Sequence, residues 1–119
     1  MKIGKESILG VNVYEWVKNN TDLEKSFFHF AQEGKRGYQN VDLLHKMGFK
    51  AGISDIFMSK PNIEYSGLWI ELKDDDKKPT LPQKLFIEQM IKDGYYACYC
   101  DNFEDTIAII KWFYQIVSN

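Results

Sequence analysis

The segment from Thr80 to Gly94 carries helix-end signals at both of its ends, and that helix constrains everything around it. Thr80 is a helix-capping residue, Gln83 stands three positions on to complete a capping box, Pro82 suits a first turn, and Gly94 stops the helix. The run Tyr95-Tyr96-Ala97-Cys98-Tyr99-Cys100 follows at once and is apolar on both faces, which predicts a strand covered by helices on either side. A last helix supplies one cover through Phe103, Ile107, Ile110, Tyr114 and Val117. Helix, strand and helix in immediate succession make the fold class α/β.

The upstream elements extend this pattern. A helix from about Lys5 to Asn19 places Leu9, Val13, Trp16 and Val17 on one arc at 100° per residue, and Glu6 falls in the same arc. Phe27 to Ala31 reads as a short strand, Gly34-Lys35-Arg36-Gly37 as a loop, and Tyr38 to Met47 as a helix stopped by Gly48. Ile53 to Met58 and Gly67 to Leu72 read as the two strands of a central hairpin, separated by the turn-forming Lys60-Pro61-Asn62 and Ser66-Gly67. The expected order is roughly α-(β)-α-β-β-α-β-α, a small mixed sheet flanked by helices.

The 119 residues fit one domain, read here as 1–119, with 45% hydrophobic and 15% aromatic residues, as a packed core requires. No apolar run has the length of a signal peptide or membrane span, so the expectation is a cytoplasmic protein. Cys98 and Cys100 lie on one face of a strand with parallel Cβ vectors, about 6.5 Å apart at Cα, which favours two reduced core thiols. The net charge of −2 argues against a nucleic-acid partner. Clustered carboxylates that hold a divalent cation would weaken that objection, since the cation restores positive charge locally.

Charged residues seldom belong inside strands, and three occur here. Asp55 lies in Ile53-Ser54-Asp55-Ile56-Phe57-Met58, and Glu71 and Lys73 end Gly67-Leu68-Trp69-Ile70-Glu71-Leu72-Lys73. Strand alternation puts Glu71 and Lys73 on one face, and hairpin pairing brings Asp55 alongside. Carboxylates held that close repel unless a cation intervenes, and Mg²⁺ accepts such oxygens while keeping several waters. The chemistry that fits is phosphodiester hydrolysis, with Lys73 stabilising negative charge or orienting the water. Glu6 would be an additional acid if helix 1 buries it. Spacing alone serves another arrangement equally well: a solvated ion-pair ladder on an edge strand.

The motifs Lys50-Ala51-Gly52-Ile53-Ser54-Asp55-Ile56-Phe57 and Tyr65-Ser66-Gly67-Leu68-Trp69-Ile70-Glu71-Leu72-Lys73 resemble the VRR-NUC family, the virus-type replication-repair nucleases of the PD-(D/E)XK, restriction-endonuclease-like superfamily. The likeness runs colinearly from Glu6 and Trp16 through Gly34-Lys35-Arg36 to Gln83 and Gly94-Tyr95. It implies catalytic roles for Asp55, Glu71 and Lys73, and Mg²⁺ or Mn²⁺ held at Glu6, Asp55, Glu71 and Leu72. Gln83 matches a glutamine that the family places near the site, although the capping box is a sufficient structural reason for it. The chain departs from the family where Ser54 replaces a usual proline, Ser66 a frequent histidine, and Thr80-Leu81-Pro82 a serine-proline-glutamate lead. None of these removes a ligand or the lysine.

The resemblance further implies a DNA endonuclease, branched DNA such as Holliday junctions or flaps as substrate, a homodimer, and replication or repair proteins as partners, in a phage or bacterial setting. For DNA contact the exposed cations expected are Lys35 and Arg36 in their glycine-flanked loop, with Lys46 and Lys50 in support. Asp74-Asp75-Asp76-Lys77-Lys78 reads as a solvated turn, and His29 and His45 as structural or exposed. Two rival readings keep the fold without the chemistry: a non-catalytic DNA-binding module, and a protein-interaction module whose acidic charge is simply solvated.

Overall fold

The computed structural model describes residues 4–30, 41–75 and 77–117. Among these, α1 (Lys5–Asn20), a short 3₁₀ turn (Glu24–Ser26), β1 (Phe27–His29), α2 (Val41–Lys46), β2 (Ile56–Met58), β3 (Leu68–Leu72), α3 (Leu81–Lys92), β4 (Tyr96–Cys100) and α4 (Phe103–Tyr114) follow one another. The sheet order is β1-β2-β3-β4. β1, β2 and β3 form an antiparallel meander, and β4 joins β3 in parallel after the α3 crossover. This is the mixed sheet expected, in the element order expected.

Period-two alternation divides β3 cleanly. Leu68, Ile70 and Leu72 are buried on one face with Ile56 and Met58 of β2, where α1 contributes Leu9, Val13 and Val17 and α4 contributes Ile107, Ile110 and Phe113. Trp69, Glu71 and Lys73 point to the other face, which α3 covers. There Phe57 stacks on Trp69 at 4.3 Å between ring centroids, and Phe86 of α3 meets Trp69 edge-on at 4.9 Å.

The ends of α3 are those written in its residues. Thr80 Oγ1 accepts from the Gln83 N–H, the Gln83 side chain accepts from the Thr80 N–H, and Gly94 takes φ +98° after the last turn. α1 runs one residue beyond its expected end, with Glu6 half-buried on its inner side.

Other expectations change. β2 begins at Ile56 rather than Ile53, because Asp55 uses its own carboxylate where a strand would place a ladder bond. β4 is an edge strand, and Tyr99 on its outer part is 44% exposed, so its double cover is incomplete. Cys98 and Cys100 are free thiols, as expected, with Cys100 buried but Cys98 only half-buried. α4 ends at Tyr114 with Gln115 in left-handed backbone, so Val117 leaves the buried face and Phe113, rather than the expected Tyr114, is fully buried there. α2 is described only from Val41, so the expected start at Tyr38, the loop cations Lys35 and Arg36, and Ala31 lie outside the described residues. Among the described residues no helix is long and apolar enough to cross a membrane.

Candidate active site

The site grows from the way Asp55 ties three strands together. Its carbonyl accepts the Phe30 N–H at 2.7 Å beyond the end of β1, and its carboxylate Oδ2 accepts the Leu72 N–H of β3, also at 2.7 Å. An aspartate side chain thus substitutes for strand backbone at the end of the β2–β3 pairing, and the carboxylate is fixed beside Glu71. Lys73 is anchored just past β3 by its own N–H, which donates to the Cys100 carbonyl at 2.9 Å.

All three charged side chains are buried: Asp55 is 6% exposed, Glu71 2% and Lys73 8%. β3 is moreover an inner strand of the sheet. A solvated ion-pair ladder on an edge strand is therefore not what this segment forms. Acids and lysines are almost never buried unless paired or hydrogen-bonded.

Gln83 organises the cluster from above. Its Nε2 donates to Glu71 Oε2 at 2.9 Å, while its Oε1 accepts both from Lys73 Nζ at 3.2 Å and from the Thr80 N–H at 2.9 Å. One amide therefore caps α3 and joins the lysine to the glutamate. The capping role was readable in the sequence; this bridging role required the crossover that sets the first turn of α3 over the end of β3.

The other Glu71 carboxyl oxygen, Oε1, is buried and accepts no N–H, and the Glu71 and Asp55 carboxyls lie close enough to share a proton. Burial first, and then the negative charge of Asp55, push the Glu71 pKa up to about 8, against a partial pull downward from Lys73; Glu6 adds to the rise. A divalent cation would oppose both causes of that rise.

Among the described residues no three His, Cys, Asp or Glu side chains stand together as a ready ligand set. Mg²⁺ commonly uses one or two carboxylates and completes its shell with waters and substrate oxygens. The buried, closely spaced Asp55–Glu71 carboxyl pair fits that requirement. Glu6 reaches the cluster region, but its Oε2 accepts the Asp74 N–H at 3.2 Å. Leu72 has an apolar side chain in the core and an N–H engaged with Asp55, so only its carbonyl oxygen could serve a metal. Asp74 is half-buried and its Oδ1 is buried without a partner, so the expected solvated turn is partly drawn into the fold.

Beside Asp55 a cleft of about 880 Å³ opens between α1 and the strands, lined by residues that include Glu6, Tyr14, Glu15, His29, Asp55 and Leu72. His29 is exposed and faces this cleft, a placement that follows from its sharing a strand face with Phe27. The lining is acidic and contains neither lysine nor arginine among the described residues. Lys46 and Lys50 are both exposed.

No protein-family model matches the sequence, and no curated protein matches it significantly. A solved structure described as a VRR_NUC domain protein superposes with a TM-score of 0.81 and 26% sequence identity, covering 97% of this chain and 92% of that one. The chain has the fold of a VRR-NUC domain. Within this VRR-NUC fold, a nuclease-like one, the sequence motifs around Asp55 and Glu71-Leu72-Lys73 meet at one end of the sheet, and Gln83 joins them from α3.

Proposed function

We propose that the protein is a divalent-metal-dependent DNA endonuclease that hydrolyses phosphodiester bonds at Asp55, Glu71 and Lys73. The observation that carries this reading is the buried Asp55–Glu71 carboxyl pair, close enough to share a proton and set under a lysine that Gln83 holds in place. A fold meant only for stability has no use for such a cluster, because buried charges of this kind cost more than a well-packed apolar set.

Asp55 and Glu71 would hold Mg²⁺ or Mn²⁺, with the Leu72 carbonyl and Glu6 as further oxygen donors within reach of the cluster. When bound, the cation supplies Lewis acidity at a phosphoryl oxygen and lowers the pKa of an attacking water. Lys73 donates toward the scissile phosphate, where negative charge builds as the pentacoordinate transition state forms. Gln83 restricts Lys73 and Glu71 to one arrangement, so that little reorganisation is needed at the moment of reaction. Of the three proposed catalytic side chains only Asp55 lines the acidic cleft, so a cation at the carboxylates would be needed to draw the backbone toward Lys73.

The substrate proposed is branched DNA, a four-way junction or flap, cut by a homodimer in replication, recombination or repair, with Lys35, Arg36, Lys46 and Lys50 on the backbone. Family resemblance supports these finer statements, together with the exposure of Lys46 and Lys50. A non-catalytic DNA-binding module on the same fold is the rival reading.

Labelled four-way junction, flap, single-stranded and linear duplex DNA, incubated with Mg²⁺, Mn²⁺ or chelator, test the proposal. Metal-dependent cleavage abolished by Asp55→Ala and by Lys73→Ala is expected. Intact DNA throughout, with folded protein that still binds it, would leave the binding module as the better account.

A further inference from the structure

Gly52 sits against the first turn of α3. A Cβ built on it would stand 2.5 Å from the Pro82 carbonyl carbon, 2.6 Å from the Pro82 oxygen and 2.9 Å from the Gln83 nitrogen, and its φ is +90°. The contact is with backbone, which cannot swing aside as a flexible side chain would. Any residue other than glycine at 52 displaces the turn that carries Gln83.

The polarity of the Gln83 amide is likewise not free. The Thr80 N–H can only donate, and so can the Lys73 ammonium, so both must face Oε1. Nε2 is left to face Glu71 and occupy Oε2, while the Glu71 Oε1 accepts no N–H. A helix cap and a glycine seat together decide which way one amide points between a lysine and a carboxylate.

We infer that Gly52 and Thr80 are positioning residues for the candidate active site: the Gly52 contact sets the place of the α3 first turn, and the capping box sets the polarity of the Gln83 amide that aligns Lys73 with Glu71. The catalytic consequence rests on the nuclease reading above; the alignment itself does not.

Gly48 provides an internal control. It has φ +98°, so alanine there is strained as at Gly52, but a Cβ on it meets nothing within 4 Å. In metal-free protein, Gly52→Ala is expected to shift the Gln83 side-chain amide resonances and speed their hydrogen exchange, while Gly48→Ala leaves both as in wild type. Gly52→Ala is also expected to weaken Mn²⁺ binding about ten-fold, as loss of an outer positioning partner does, and to lower kcat rather than raise KM. Gly48→Ala keeps wild-type Mn²⁺ affinity and kcat per folded molecule.

Should Gly52→Ala fail to fold, Gln83→Glu carries the test, because glutamate completes a capping box equally well but cannot donate to Glu71. Without metal it is expected to melt below wild type, since a third carboxylate then stands beside Glu71, and its Mn²⁺ affinity is expected to depart from wild type by about ten-fold. Unchanged Gln83 amide signals in Gly52→Ala, or unchanged Mn²⁺ affinity in Gln83→Glu, would overturn the inference. A wild type that cleaves no DNA would sink the nuclease reading alone, since the amide signals report the alignment without it.

Discussion

The two faces of β3 are built from alternate residues of one five-residue strand and follow different rules. Leu68, Ile70 and Leu72 pack into a continuous apolar layer with α1 and α4, each at most 1% exposed. On the opposite face, Trp69 gives way within two residues to Glu71 and then Lys73, both buried and both charged in water. The first face stabilises the fold by removing apolar surface from solvent. The second works against that stability, because burying charged groups costs free energy that their hydrogen bonds to Gln83 offset only in part. A strand that carries both lets the rigid layer hold the costly one in position.

The largest effect that would break this contrast comes from Glu71→Gln, which keeps the shape of the side chain and removes its charge. Cleavage is expected to fall by about 10²–10³-fold or more, the scale seen when one preorganised catalytic group is lost. At pH 7 the metal-free protein is expected to melt higher than wild type, because folding no longer has to protonate a carboxyl that is ionised in the unfolded chain. A variant that loses activity and stability together would mean that both faces serve the fold.

The reciprocal change is made on the other face. Leu68→Ala, three residues from Glu71 along β3, should cost about 2–5 kcal/mol of unfolding free energy, as large-to-small substitutions in full cores do. Denaturant titration measures this, and the cleavage rate per folded molecule should stay within about two-fold of wild type, since sites not in contact behave additively.

A smaller effect sharpens the comparison through pH. Glu71 titrates at about 8 in the folded protein against an ordinary 4.5. The folded state therefore holds the proton more tightly than the unfolded state. Its contribution is fully present below the unfolded value and is lost as pH rises through the folded one. The melting temperature of metal-free wild type should thus fall between about pH 4.5 and pH 8 by more than that of Glu71→Gln. Equal slopes in the two proteins would remove Glu71 from the account.

Much of this architecture could be read from residues whose local physics acts alone. Thr80, Gln83 and Gly94 marked α3 because caps are local, and Leu9, Val13 and Val17 marked α1 because one helical stripe faces one core. Asp55, Glu71 and Lys73 stood out because charge is rare in strands. What depended on distant partners was hidden. Asp55 left β2 to bond the Leu72 N–H, seventeen residues away in sequence. The end of α4 at a left-handed Gln115 moved Val117 off its face. Gly52 looked like part of a motif, and only the packing of α3 against it showed why no side chain fits there. Gln83 had one role in sequence and has a second in space.

As proposed, the buried carboxylates of the second face form a divalent-metal site. Calorimetric titration of Mn²⁺ into wild type and Glu71→Gln at pH 7, each in two buffers of different ionisation heat, tests it most directly. Wild type should bind Mn²⁺ and release protons as Glu71 gives up its own, and Glu71→Gln should bind more weakly with little proton release. Equal binding by the two proteins, or no proton release by wild type, would contradict it.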